Sequence, residues 1–156
     1  MQENRPLVGL GVMVIKYRKV LIGKRKGAHG EGCYAFPGGH LEFMEEYKEC
    51  AEREVLEETG MKVEYRPLYP FFPEAFITNN LMKEDVKHYI TIFVVSDWIS
   101  GEPQLLEPEK NEGWKWVGFD ELMDLVPPEA FRNYEHPQNH WVPTGQMIRK
   151  RIEIGL

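Results

Sequence analysis

The stretch Gly38-Gly39-His40-Leu41-Glu42-Phe43-Met44-Glu45, continuing through Arg53-Glu54-Val55-Leu56-Glu57-Glu58-Thr59-Gly60-Met61, puts carboxylates where a helix should bury apolar groups. At about 100° per residue, Tyr47, Cys50 and Ala51 point one way, and Glu54, Glu57 and Glu58 fall within roughly 60° of that direction. Two carboxylates about 4 Å apart in a partly enclosed site repel by roughly 4 kcal/mol. A divalent cation reverses that cost. An all-oxygen donor set suits Mg²⁺ or Mn²⁺, and no Cys/His set for zinc accompanies it. Glu45, Glu46, Glu49 and Glu52 read as the solvated face of the helix, and Gly60 as its left-handed cap.

Length and composition narrow the rest. A chain of 156 residues with 42% apolar composition supports one domain, residues 1–156, with a real core. A net charge of −6 disfavours a nucleic-acid polymer as partner, because non-specific backbone binding relies on many cations. A small phosphate ester remains compatible, since bound metal supplies local positive charge. Cys33 and Cys50 form neither a zinc pattern nor a disulfide framework, which fits a reducing cytoplasm. The apolar run Leu7 to Ile15 is too short to span a membrane and contains Gly9 and Gly11, so it reads as a buried strand, with no membrane partner implied.

Around that strand the pattern alternates between sheet and helix. Val20 to Lys26, Met61 to Tyr69, Val86 to Trp98 and Trp114 to Phe119 read as strands, and Lys16-Tyr17-Arg18-Lys19 closes a first hairpin. Pro37-Gly38-Gly39 turns the chain toward the acidic helix. Asp120 caps a short helix through Leu125, and Thr144 caps another through about Ile152. The class is α/β, with helices over a mixed sheet in an α/β/α sandwich. Trp114 and Trp116 share a strand face and belong to the core rather than to a stacking site. Phe71, Phe72 and Phe76 are too dense for a solvent loop and suit a dimer contact or the wall of a base pocket. Arg25 alternates with Lys24 and Lys26, so it faces a phosphate or lies at a solvated strand end.

The order Gly39, five residues, Glu45, seven residues, Arg53-Glu54-Val55, one residue, Glu57-Glu58, one residue, Gly60-Met61 resembles an intact Nudix box. That is the signature of hydrolases that cleave nucleoside diphosphates linked to another group. Met44 stands where many members carry glycine before the first glutamate. His40-Leu41-Glu42-Phe43, Leu21 to Gly27, His88 to Ile92 and Glu107 to Glu112 before Trp114-Lys115-Trp116-Val117 extend the likeness to the MutT-related branch that contains the thiopurine-nucleotide diphosphatase. It covers roughly Arg5 to Leu122, and beyond Asp124 no match continues.

Carried over position by position, the resemblance implies an α/β/α Nudix sandwich with Glu54 and Glu58 as principal Mg²⁺ ligands. Glu57 becomes a further ligand or the water-activating group, the Gly39 carbonyl an additional ligand, and Arg53 the group that orients the glutamates. Arg25, Gly38, Gly39 and His40 are the candidate substrate-binding residues, and Glu107, Glu109 or Glu112 the candidates for a remote carboxylate. The implied reaction is metal-assisted hydrolysis of a nucleoside triphosphate, including modified or oxidised purine nucleotides, to a monophosphate and pyrophosphate. Water is the nucleophile, Glu57 or Glu58 takes its proton, and the branch implies a homodimer. Nucleotide-sugar, dinucleotide or pterin triphosphate substrates are the alternatives within the family. A noncatalytic nucleotide sensor is the alternative outside it, although such modules typically lose the box carboxylates that are all present here.

Overall fold

Leu10, Val12 and Val14 point to one side of the first strand and Met13 and Ile15 to the other, and all five are buried. A strand buried on both faces belongs at the middle of a sheet covered on both sides. The computed structural model describes residues 4–26, 32–66, 76–83 and 86–125 and places it there. In chain order the elements are β1 (Leu7–Lys16), β2 (Lys19–Arg25), β3 (Tyr34–Ala35), β4 (Gly38–His40), α1 (Tyr47–Thr59), β5 (Lys62–Tyr65), β6 (Phe76–Met82), β7 (Lys87–Ser100), β8 (Asn111–Val117) and α2 (Phe119–Leu125).

The sheet runs β3-β2-β1-β7-β5, with β4 joined to β1, β6 to β7 and β8 to β2. β1 and β7 are parallel, from Leu7 opposite Tyr89 to Ile15 opposite Asp97, and the other pairings are antiparallel. One core lies under α1, where Cys50, Ala51 and Val55 meet Leu10, Val12, Val14, Leu21, Val63, Ile92 and Val94. The other lies under α2, where Leu122 meets Met13, Ile15, Val20, Ile22 and Val117. Helices on both faces of a mixed sheet make the expected α/β/α sandwich. Trp114 and Trp116 pack against the α1 core, as their shared face implied.

Several boundaries differ from the sequence reading. β8 begins at Asn111 rather than Trp114, and β7 reaches Ser100. Gly38–His40 is a strand paired with Gly9–Gly11 rather than a bare turn. α2 starts at Phe119, so Asp120 lies in its first turn instead of capping it. β6 was not foreseen, because its alternation of Ile77, Asn79 and Leu81 with Thr78 and Asn80 was hidden beside the aromatic run. Phe71, Phe72, the continuation of β5 to Tyr69 and the helix from Thr144 lie outside the described residues. Among the described residues no helix is long and apolar enough to cross a membrane.

Entry into α1 is the one strained turn near the box. The Glu45 N–H donates to the Glu42 carbonyl at 3.1 Å, and Met44 takes a φ of 63° in the left-handed region. There a Cβ crowds the following carbonyl. The turn therefore forms here at some cost, and the Met44 side chain, 85% exposed, gains nothing by packing. Met44→Gly is expected to raise stability by about 0.5–1 kcal/mol, since relief of the left-handed strain outweighs the extra entropy of unfolded glycine. Urea denaturation measures this, and a variant no more stable than the parent would contradict the strain.

Candidate active site

α1 begins after Glu46, whose backbone N–H donates to the Glu49 carboxylate at 2.9 Å, and closes on Gly60 with a φ of 76°. Its inner face descends through Cys50, Ala51 and Val55 to Thr59, all buried, and Glu54 and Glu58 ride the same face where it meets β4. The Glu54 side chain is 13% exposed, whereas that of Glu57 is 54% exposed. The inward trio is thus a pair with Glu57 on the rim, because Glu57 sits furthest round the helix from the Cys50–Ala51 direction.

Two glycines bring backbone against this pair. The Gly38 N–H donates to Glu58 Oε2 at 3.2 Å. A side chain at Gly38 would overlap the Leu10 carbonyl, and one at Gly39 would overlap the Glu54 carboxylate. Both glycines are required by close approach.

Arg53 holds the site together. Its Nε and Nη2 donate to the two oxygens of Glu45 at 2.7 and 3.0 Å, and its Nη1 donates to Glu54 Oε1 at 2.7 Å. Nη1 also reaches Glu57 at 3.4 Å, and Nη2 the His40 carbonyl at 3.1 Å. Glu45 therefore does not belong to the solvated face. Its side chain is only 10% exposed, and the Arg53 hydrogen bonds hold its carboxyl below the usual range. The signal that would have shown this is its place before the helix, outside the helical periodicity used to assign it to solvent.

Burial pushes the Glu58 carboxyl up to about 8 against the opposing Gly38 N–H, and the charges of Glu107 and Glu54 add to the rise. Burial raises Glu54 as well, against the pull of Arg53. Of the three remote carboxylates, Glu107 bears on both groups through its charge while pairing with Lys110 at 3.6 Å. Glu112 instead pairs with Lys24 at 3.5 Å, and Glu109 is exposed. Cys50 is buried with its thiol pushed up to about 12 by desolvation, which suits packing and not nucleophilic attack.

His40 is exposed, its ring stacked on Tyr89 with centroids 5.7 Å apart. Arg25 ends β2 with an exposed side chain, and among the described residues no hydrogen bond or ion pair joins it to the glutamates. Among the described residues, too, no three acidic, His or Cys groups converge as a ready metal cage. Two half-buried carboxylates whose proton affinity burial raises, beside a glycine backbone, fit an ion that takes one or two protein carboxylates and fills its shell with water and phosphate oxygens. Mg²⁺ is bound in that manner.

The NUDIX domain family model matches residues 5–142. The chain belongs to the Nudix family. This Nudix chain is 32% identical over 101 residues to the NAD-capped RNA hydrolase NudC of Actinobacillus succinogenes, covering 65% of the chain and 34% of that protein. It is 32% identical over 97 residues to the ADP-ribose pyrophosphatase of Methanocaldococcus jannaschii, covering 62% and 54%. The chain thus spans between a third and about half of these relatives' lengths. A MutT NUDIX hydrolase from Burkholderia pseudomallei shares the fold at a TM-score of 0.66 and 24% identity, over 92% of this chain and 97% of that one.

Proposed function

We propose that the chain is a divalent-metal-dependent hydrolase of phosphoanhydrides in nucleoside diphosphate derivatives, and that its reaction is cleavage of a nucleoside triphosphate to the monophosphate and pyrophosphate. The observation that carries this reading is the half-buried pair Glu54 and Glu58 set against the Gly38–Gly39 backbone and locked by Arg53. Glu54, Glu58 and the Gly39 carbonyl are the groups to hold Mg²⁺ or Mn²⁺, with Glu57 on the rim. The ion, when bound, neutralises phosphate oxygens and lowers the pKa of a water molecule.

The chain's own residues do the remainder. Arg53 keeps Glu54 from swinging, and Glu57 and Glu58 are the two carboxylates placed to accept the proton of the attacking water. The charge placed around the box acts on the phosphates, so the base contributes binding more than chemistry.

Hydrolysis of dGTP in ¹⁸O-labelled water tests the geometry. The label is expected in pyrophosphate, from attack at the β-phosphorus. Label mainly in the monophosphate defeats that geometry, and orthophosphate as first product defeats the diphosphatase reading.

A second reading is favoured by the relatives, whose names describe an NAD-capped RNA hydrolase and an ADP-ribose pyrophosphatase. Here the group beyond the diphosphate is a sugar or a second nucleotide. Metal-dependent release of AMP from ADP-ribose without turnover of dGTP selects it. The net charge of −6 argues against affinity for the body of an RNA.

A further inference from the structure

The tip of the first hairpin breaks two local rules at once. Lys16 and Lys19 face each other as the last pair of β1 and β2, so only Tyr17 and Arg18 lie between them. A two-residue turn of this kind is best made with positive φ at both positions, which is why Asn-Gly serves it well. Here Tyr17 takes a φ of 46° and Arg18 one of 62°, each at a steric cost that glycine would not bear. The two lysines are like charges directly opposite across the ladder, which destabilises the same hairpin again. Burial offsets neither cost, since Tyr17 is 82% exposed and Arg18 and Lys19 are exposed.

The same turn walls a cleft of about 450 Å³, a size within the range of small-ligand sites. Its fixed side is Trp98, whose Nε1 donates to the Gly101 carbonyl at 2.8 Å and whose ring lies 4.0 Å from the Lys16 ammonium. The Tyr17 ring stands 6.1 Å from the Trp98 ring at 52°, tilted rather than stacked, so most of it faces water. At the rim Arg66 is held by Glu64 at 2.9 Å and by Asp97 at 3.3 Å, and Lys16 reaches toward the exposed Glu102 at 3.7 Å. Among the described residues no carboxylate pairs with Arg18 or Lys19. Two adjacent unpaired cations beside an open aromatic ring, in a chain of net charge −6, are suited to an anion that carries a flat ring.

We infer that this cleft is a second binding site, separate from the glutamates, that takes a free mononucleotide, with its base against Tyr17 and its phosphate beside Arg18 and the Lys16–Lys19 pair. A phosphate there relieves the repulsion between the opposed lysines, and a base covers the aromatic surface that the strained turn holds out to water. The site is remote from the box. Gly9–Gly11 of β1 pair with Gly38–His40, and Lys16 lies five residues beyond Gly11, about 17 Å at the rise of a strand. The inference therefore goes beyond the proposed reaction and does not depend on it. The chain's net charge favours a free nucleotide over a nucleic-acid strand, whose binding needs many cations.

Calorimetric titration of the full chain in EDTA, which keeps metal from the glutamates, tests this with AMP, adenosine and inorganic phosphate. AMP is expected to bind, and adenosine and phosphate each about tenfold or more weakly, since one lacks the charge-assisted contacts and the other the stacked ring. The double variant Tyr17→Asn with Arg18→Gly gives the turn the residues it favours and takes away both recognition groups. Its Tm is expected to rise by about 2–4 °C while its affinity for AMP falls about tenfold or more. A purely structural role for Tyr17 and Arg18 does not produce a gain in stability together with a loss of binding.

A parent chain that does not bind AMP, or a double variant that binds AMP as the parent does, overturns the site. Phosphate bound as tightly as AMP overturns the nucleotide as its occupant, and oligoadenylate bound more tightly than AMP overturns the free mononucleotide. A double variant less stable than the parent returns Tyr17 and Arg18 to holding the hairpin and overturns the inference as well. Turnover enters none of these measurements, so their failure leaves the hydrolase reading standing.

Discussion

Glu58→Gln is expected to lower Mg²⁺-dependent turnover by about 10³-fold while leaving the chain folded, because it keeps the side chain's shape and removes a charge that must face the cation and the reacting phosphate. Glutamine still accepts the Gly38 N–H, so β4, which approaches Glu58 at 3.2 Å, has no reason to move. Stability separates this from a general collapse. In the metal-free chain the folded state holds the Glu58 proton up to about pH 8, by burial first, whereas an ordinary glutamate releases it near 4.5. Between those values the native state binds more protons than the unfolded one, so stability falls as pH rises from about 4.5 to about 8. The parent is expected to lose on the order of 2 kcal/mol across that window and to recover it with Mg²⁺. Glu58→Gln is expected to lose most of both, keeping only the share that Glu54 contributes. Urea titrations at pH 5 and pH 8 with EDTA or Mg²⁺ measure both, and a variant that keeps normal activity would remove Glu58 from the site altogether.

The part of this site visible in the sequence was the part set by helical period. Glu54 and Glu58 follow from the 3.6-residue repeat, whereas what Gly38 and Gly39 approach, the Leu10 carbonyl and the Glu54 carboxylate, follows only from the fold. The repeat also placed Glu57 inward, but a side chain at the border of a stripe settles where its partners are, and Arg53 draws it to the rim at 3.4 Å. Glu45 was misread because a period describes only residues within the helix, and its role depends on a turn that brings it back over Arg53.

The sheet was legible where strands are apolar on both faces, as in β1. It was not legible at β6, a strand at the margin of the sheet with Ile77 63% exposed, where tertiary pairing and not sequence pattern creates the element. Which of Glu107, Glu109 and Glu112 comes near the glutamates depends on how the segment before β8 is placed, since nothing in an acidic run says which residue turns inward.

Arg53→Ala carries the second large effect, and it is expected to act through stability first. Removing the guanidinium leaves Glu45 and Glu54, with side chains 10% and 13% exposed, facing each other's neighbourhood without a cation. Breaking a buried charge pair by deleting one member costs about 3–5 kcal/mol, and because Arg53 itself is 27% exposed the lower end applies, about 3 kcal/mol. The exposed helical pair Lys48–Glu52, at 2.8 Å, provides the internal contrast, since Lys48→Ala is expected to leave stability almost unchanged despite a similar distance. Distance alone does not set the value of an ion pair; the water it excludes does.

Arg53→Lys separates charge from geometry. Lysine supplies a cation but not a planar fork able to serve Glu45 through two nitrogens while a third orients Glu54. That variant is expected to recover more than half of the lost stability yet remain about 10²-fold below the parent in turnover, because an unheld Glu54 is displaced from its working position. Urea denaturation beside steady-state kinetics for the two variants decides it. Full activity in Arg53→Lys would show that Arg53 contributes only charge, and an Arg53→Ala chain as stable as the parent would show that Glu45 and Glu54 are far better solvated than their burial indicates.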